Sequence, residues 1–203
     1  MVTLFSGTPG SGKSLHVAKK ILNEVRHGKK MIITNYPVNL TFIKRTRCKI
    51  VVLNNAELTC DLLQWISSNW YFKKNPVREG GIICVIDEAQ LLFNAREWNK
   101  SGRADWISLF TQQRKYGIDF YLIAQFDRML DRQIRSLIEY EYVHRKLSNC
   151  GFWGRFYSVL LGGEIFIAVK RWYPLKERVG VEHFRLKKAY CRFYDTHALF
   201  SCN

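Results

Sequence analysis

The sequence predicts a three-layer α/β fold, with a mainly parallel central sheet, helices on both faces and an antiparallel hairpin added at the C-terminal end. Three observations carry this. Short apolar runs at Val2–Ser6, Lys30–Thr34, Lys49–Leu53, Ile82–Ile86 and Asp119–Ala124 lack strict alternation, as strands buried on both faces do. Segments with helical spacing separate most of them, which calls for right-handed crossovers. After Tyr140 the pattern changes to alternation at Glu141–Lys146, Arg155–Leu161 and Glu164–Trp172, with Gly162-Gly163 as a two-residue turn, so antiparallel strands are expected there.

Taken in order, the first strand leads into a glycine-rich turn. A helix from Lys13 follows, with Leu15, Ala18, Leu22 and Val25 on one face, Lys19, Lys20 and Arg26 on the other, and Gly28 as its stop. Asn35-Tyr36-Pro37 breaks the second strand. Asp61–Trp70 reads as a helix, Lys73–Gly81 as a polar loop, and Asn94–Arg103 as a loop carrying Trp98. Asp105–Tyr116 is expected to be helical up to Gly117, and Arg128–Tyr140 to form a further amphipathic helix. At 203 residues and 47% apolar content, one domain spanning 1–203 is expected, with a core over 1–140 and appended strands and a basic tail over 141–203.

Composition excludes some classes. The six cysteines stand at 48, 60, 84, 150, 191 and 202 without a CxxC pair, and the five histidines show no zinc-ligand spacing to them. A reduced, cytosolic setting fits. The N-terminus has neither the basic region nor the cleavage site of a secretory signal, and the longest apolar stretch, Phe156–Val169, is interrupted by Gly162, Gly163 and Glu164. A net charge of +15 points to anionic partners, with ten Lys or Arg against the single acid Glu24 in the first fifty residues. Nucleic acid, an anionic membrane surface and nucleotide all satisfy it, as does an ordinary solvated basic face.

The strongest motif is Gly7-Thr8-Pro9-Gly10-Ser11-Gly12-Lys13-Ser14, a complete G-x-x-x-x-G-K-[ST] between a strand and a helix. Small residues let consecutive N–H groups wrap phosphate oxygens, and the helix N-terminus adds a favourable field. The predicted nucleotide contacts run from Gly7 to Leu15, with Lys13 on the β and γ phosphates and Ser14 on Mg²⁺. Ile82–Ile86 delivers Asp87 and Glu88 at a strand's carboxyl end, where open α/β sheets hold ligands. Asp87 is expected to position Mg²⁺ and Glu88 to polarise the attacking water. Gln125 ends the next buried strand, where its amide could sense the γ-phosphate or simply be solvated. Arg114, Arg128, Arg132 and Arg135 are candidates for a finger reaching into a neighbouring subunit, with Arg132 and Arg135 named first.

The loop Gly7–Ser14, the turn Thr34-Asn35-Tyr36-Pro37, the block Val85-Ile86-Asp87-Glu88-Ala89-Gln90 and the run Gln113-Arg114-Lys115-Tyr116-Gly117-Ile118-Asp119 together resemble the Zot domain family. That family comprises the zonular occludens toxin N-terminal domain and the assembly protein of filamentous phages. The resemblance covers Met1 to about Asp195, ending at Tyr194-Asp195-Thr196-His197. It implies an ATP- and Mg²⁺-dependent ATPase at the cytoplasmic face of the host inner membrane that drives virion extrusion, as a homo-oligomeric ring with phage assembly proteins as partners. It also implies a membrane-spanning continuation that this sequence lacks. A DNA translocase or packaging motor acting on phage single-stranded DNA shares the same core, and basic and aromatic residues such as Trp172, Tyr173, Tyr190, Phe193 and Tyr194 suit such a track. A GTPase is disfavoured by the lack of Asn-Lys-x-Asp, and a small-molecule kinase by the lack of an arginine-rich lid. A nucleotide-gated scaffold with negligible turnover is the remaining alternative.

Overall fold

The fold is described from a computed structural model over residues 1–28, 30–39, 46–72, 77–96, 102–149, 151 and 164–194. Within them, eight strands form one sheet: β1 (Val2–Ser6), β2 (Met31–Thr34), β3 (Lys49–Val52), β4 (Ile82–Ile86), β5 (Ile118–Ile123), β6 (Tyr140–Lys146), β7 (Ile165–Trp172) and β8 (Glu177–Arg185). The helices are α1 (Lys13–His27), α2 (Cys60–Tyr71), α3 (Arg103–Thr111), α4 (Gln113–Tyr116), α5 (Arg132–Ser136) and α6 (Lys188–Phe193). The strand order is β3-β2-β4-β5-β1-β6-β7-β8. The first six strands run parallel, and β7 and β8 are antiparallel additions.

Every residue of β1, β2 and β4 is buried, because helices cover both faces of the sheet. Alternate residues feed two cores. Leu4, Ile33, Ile82, Cys84, Ile86, Phe120 and Leu122 pack with Leu63 of α2, Phe110 of α3 and Ile134 of α5. On the other face Phe5, Ile32, Ile83, Val85 and Tyr142 pack with Val17, Ile21, Leu22 and Val25 of α1 and with Tyr190 and Phe193 of α6. Each such side chain contributes about 1.5–3 kcal/mol when fully buried. These are the three expected layers.

Helix α1 ends where the sequence predicts. Gly28 donates its N–H to Glu24 O, and Arg26 and His27 in the last turn complement the helix dipole. Strand β5 lies between the strand that enters the glycine-rich loop and the strand that delivers the two acids. The carboxyl ends of β1, β5 and β4 therefore open side by side.

Two expectations are corrected. Tyr140–Lys146 joins the parallel sheet against β1, instead of standing among the appended antiparallel strands. Its alternation has a local cause. Tyr142 and His144 face α1, whereas Glu141 on the opposite face is buried with Ser6 and Lys176. The helix expected over Arg128–Tyr140 is broken. A 3₁₀ turn occupies Asp127–Met129, Leu130 bridges Asn94, and Asp131 caps a new start by accepting from Gln133 N and Ile134 N, leaving only α5.

The expected strand Arg155–Leu161, the turn Gly162-Gly163, Trp98 and the end of the tail, 195–203, lie outside the described residues. Strand β7 has both edges occupied, by β6 and by β8, a strand that the sequence did not predict. No helix among the described residues is long and apolar enough to cross a membrane.

Candidate nucleotide site

The loop between β1 and α1 is tied at both ends. Gly7 N donates to Gln125 O at 3.0 Å, fastening the loop to the end of β5, and Ser11 N donates to Thr8 O at 3.1 Å. His16 N donates to Gly12 O at 2.9 Å and begins the helix. Two glycines are required by space as well as by dihedral. At Gly7 (φ +146°) a Cβ would stand 2.7 Å from His144 O, and at Gly12 (φ +91°) 2.6 Å from the Phe166 ring. Thr8, Pro9 and Gly10 form the exposed tip, Ser11 is buried beneath them, and Leu15 packs against the α1-side core.

Lys13 folds back across the loop, donating from Nζ to Gly7 O at 2.7 Å and Thr8 O at 3.2 Å. Burial lowers its pKa, and the charges of Glu88 and Asp87 oppose that shift. The two acids from β4 and the lysine from α1 thus share one electrostatic environment. Asp87 is pushed up to about 6, chiefly by burial. Its peptide is bracketed by Asn35 at the end of β2, which donates from Nδ2 to Asp87 O at 2.9 Å and accepts from Asp87 N at 2.6 Å.

Glu88 adopts a left-handed backbone (φ 48°, ψ 48°), unusual for a residue with a side chain. The turn lifts it out of the strand, and its carboxylate accepts from the Gln90 amide. Gln125 follows β5, whose neighbours are the strands of the phosphate loop and of the acids, and lines a cavity of about 780 Å³ with Ser6, Gly7, Thr8 and Arg128. Arg145, Arg171 and Lys176 line the same cavity. Arg132 and Arg135 lie on α5 and do not line it, and Arg114 lies on α4.

Several residues stand at this site that the sequence did not place there. Tyr36 donates to Ser14 O at 2.5 Å and stacks on Tyr194 with ring centroids 4.1 Å apart. Tyr194 donates to Asp87 Oδ2 at 3.3 Å. Asn35 and Tyr36 could have been found from position alone, since they end the strand beside the one carrying the acids. Tyr194, 107 residues from Asp87 in sequence, leaves no such signal. Beneath the loop His144 Nδ1 lies 3.0 Å from Ser6 O and its Nε2 lies 2.8 Å from His16 Nδ1, while His16 Nε2 lies 3.1 Å from Glu182. A carbonyl only accepts, so His144 carries its proton on Nδ1.

These residues fit a Mg²⁺-nucleotide. The buried Ser11 hydroxyl has no hydrogen-bond partner in the loop it faces. The hydroxyl of Ser14 and the carboxylate of Asp87 are hard oxygen donors, and magnesium sites commonly use one or two such ligands with substrate phosphates completing the shell.

A sequence model of the zonular occludens toxin (Zot) family matches residues 1–199. The Gene 1 protein of Enterobacteria phage I2-2 is 27% identical over 172 residues, covering 81% of this chain and 46% of that protein. The chain thus spans about half the length of the curated relatives it matches. Among solved structures, the N-terminal domain of zonular occludens toxin from Neisseria meningitidis superposes with a TM-score of 0.56 at 21% identity, covering 96% of this chain and 98% of that one. B204, the DNA-packaging ATPase of Sulfolobus Turreted Icosahedral Virus, gives a TM-score of 0.55 at 15% identity, covering 90% and 95%. With the family model matched over nearly its whole length, and with this loop, these acids and this strand order, the chain has a P-loop fold and belongs to the zonular occludens toxin (Zot) family.

Proposed function

We propose that this domain binds and hydrolyses ATP as the motor for assembly and export of filamentous virions at the cytoplasmic face of the host inner membrane. The observation that carries the proposal is the convergence of Lys13, Ser14, Asp87, Glu88 and Gln125 on one loop in a chain of this family. The N–H groups of Gly7 to Leu15 and the start of α1 hold the phosphates, and Lys13 leaves its loop carbonyls to neutralise the β and γ oxygens. Ser14 and Asp87 would hold Mg²⁺, which would supply charge neutralisation at the phosphates when bound. Glu88 takes the proton of the attacking water, and Gln125 reads whether the γ-phosphate is present. Fixed groups facing developing charge act without reorganising at the moment of reaction.

The motor works as a homo-oligomeric ring with phage assembly proteins as partners, and its basic surface meets anionic lipid. In such a ring an arginine from a neighbouring subunit completes the charge balance, Arg132 and Arg135 being the candidates on α5. A second reading, a translocase on phage single-stranded DNA, is favoured by the cavity beside the loop. Arg128, Arg145 and Arg171 line it and have no ion-pair partner among the described residues. A backbone of phosphates would satisfy three such guanidiniums.

Phosphate release from ATP, measured alone, with circular phage single-stranded DNA and with vesicles rich in anionic lipid, tests both readings. Turnover that needs Mg²⁺ and is indifferent to DNA supports the assembly motor. Stimulation by DNA that is lost in Arg145→Ala supports the translocase, and absence of turnover under all conditions refutes both.

A further inference from the structure

The two groups assigned to Mg²⁺ are each held by one of two stacked tyrosines, the second of which arrives from the C-terminal part of the chain. The Tyr194 phenol donates to Asp87 Oδ2 at 3.3 Å. The Tyr36 phenol donates to the Ser14 carbonyl at 2.5 Å. A carboxylate oxygen held by a phenol cannot rotate freely, so outer contacts of this kind orient a metal ligand.

The placement of Tyr194 is determined by more than this contact. Its ring stacks on Tyr36, whose own hydroxyl fixes the carbonyl of Ser14. Its backbone bridges Val38, and the preceding residue, Phe193, fully buried, accepts from Asn39 N at 2.9 Å. Helix α6 packs on α1, the helix that carries Lys13 and Ser14. The loop after β2 and the end of α6 therefore clamp the tyrosine over the site from two directions.

We propose that Tyr194 is a positioning residue of the metal site, its hydroxyl orienting Asp87 toward Mg²⁺ and its ring bracing Tyr36 on the Ser14 backbone, which ties that site to α6. The proposal rests on the assignment of Ser14 and Asp87 to Mg²⁺. It assigns no chemistry to Tyr194 itself.

The test is binding of a fluorescent, non-hydrolysable ATP analogue to the purified protein, titrated with Mg²⁺ and repeated in EDTA. Tyr194→Phe keeps the ring on Tyr36 and removes only the hydroxyl, so the melting temperature should stay within a few degrees of wild type. The Mg²⁺ concentration for half-maximal binding should rise about tenfold, the scale on which lost outer-shell partners act, while binding in EDTA stays unchanged. An unchanged or lowered Mg²⁺ requirement in Tyr194→Phe, with a clear requirement in wild type, overturns the proposal. Ser14→Ala separates the two levels. If neither wild type nor Ser14→Ala responds to Mg²⁺, the metal assignment itself has failed, and this proposal with it.

Discussion

Asn35 and Asp87 form a two-point clasp across neighbouring strands, the amide of one donating to the carbonyl and accepting from the N–H of the other at 2.9 and 2.6 Å. The strand after Thr34 has ended, so this side chain replaces the ladder hydrogen bonds that would otherwise fix Asp87. Asn35→Ala should cost about 1–3 kcal/mol in urea unfolding, because the Asp87 peptide is left partly buried without those partners. It should also lower ATP turnover by at least about tenfold, since a small displacement of a charged group matters at a reacting centre. Unfolding curves and steady-state rates on one preparation check both. Wild-type turnover would show that the clasp does not set the site.

The two loop glycines at positions 10 and 12 should behave differently. A Cβ at Gly10 meets nothing within 4 Å, whereas at Gly12 it enters the Phe166 ring. Gly10→Ala is expected to cost only the left-handed backbone, about 1–2 kcal/mol. Gly12→Ala adds the overlap with a buried ring and should abolish nucleotide binding. Calorimetric titration with an ATP analogue separates them, and equal losses in both variants would contradict the geometry.

Gln90 presents its amide to Glu88 while its own Oε1 is buried without a hydrogen-bond partner among the described residues. Gln90→Met should release the carboxylate and lower kcat on the order of tenfold, with KM little changed. General-base contributions lie on the order of 10²–10⁴, and here the base is misplaced and still present. A rise in KM at constant kcat would place Gln90 in substrate binding instead.

Acid should destabilise the fold before it unfolds ordinary surface carboxylates. Burial, and then the neighbouring His16, push His144 down to about 3. Its folded pKa lies below the unfolded value of about 6.5, so the unfolded chain takes up the proton first. Stability is complete above about pH 6.5 and falls toward pH 3, with a slope approaching about 1.4 kcal/mol per pH unit. Glu182 is held below the usual carboxylate range, first by its hydrogen bond with His16, and it adds a loss of the same sign below about pH 4.5. Asp87, pushed up to about 6, contributes the opposite sign over the same range in both proteins. Between pH 7 and 5 the urea midpoint of wild type should therefore fall relative to that of His144→Asn, and parallel profiles would contradict this assignment.

The parts of the fold that local chemistry determines were legible in the sequence. Val2–Ser6 and Ile82–Ile86 match the observed strands at both ends, and α1 starts at Lys13 and stops at Gly28, because burial, glycine and charge act within a few residues. The direction of Tyr140–Lys146 was not legible, since a buried Glu141 satisfied by Ser6 and Lys176 imitates the polar position of an exposed strand. The short α5 was hidden too. Asp131 reads as a helical surface residue until Arg103 pairs with it at 2.8 Å from a distant helix. At the site, the positions of the loop, both acids and Gln125 at strand ends were readable, and so was that of Asn35 beside them, whereas Gln90 and Tyr194 reach those residues through contacts that spacing does not encode.

The central claim is that Glu88 activates water at a nucleotide held by the Lys13 loop. Single-turnover phosphate release with Mg²⁺-ATP, measured on wild type and Glu88→Gln beside equilibrium nucleotide binding, tests it most directly. Glu88→Gln should bind nucleotide nearly normally, with release slowed at least about a hundredfold, within the range for loss of a general base. Release at the wild-type rate from Glu88→Gln would contradict it.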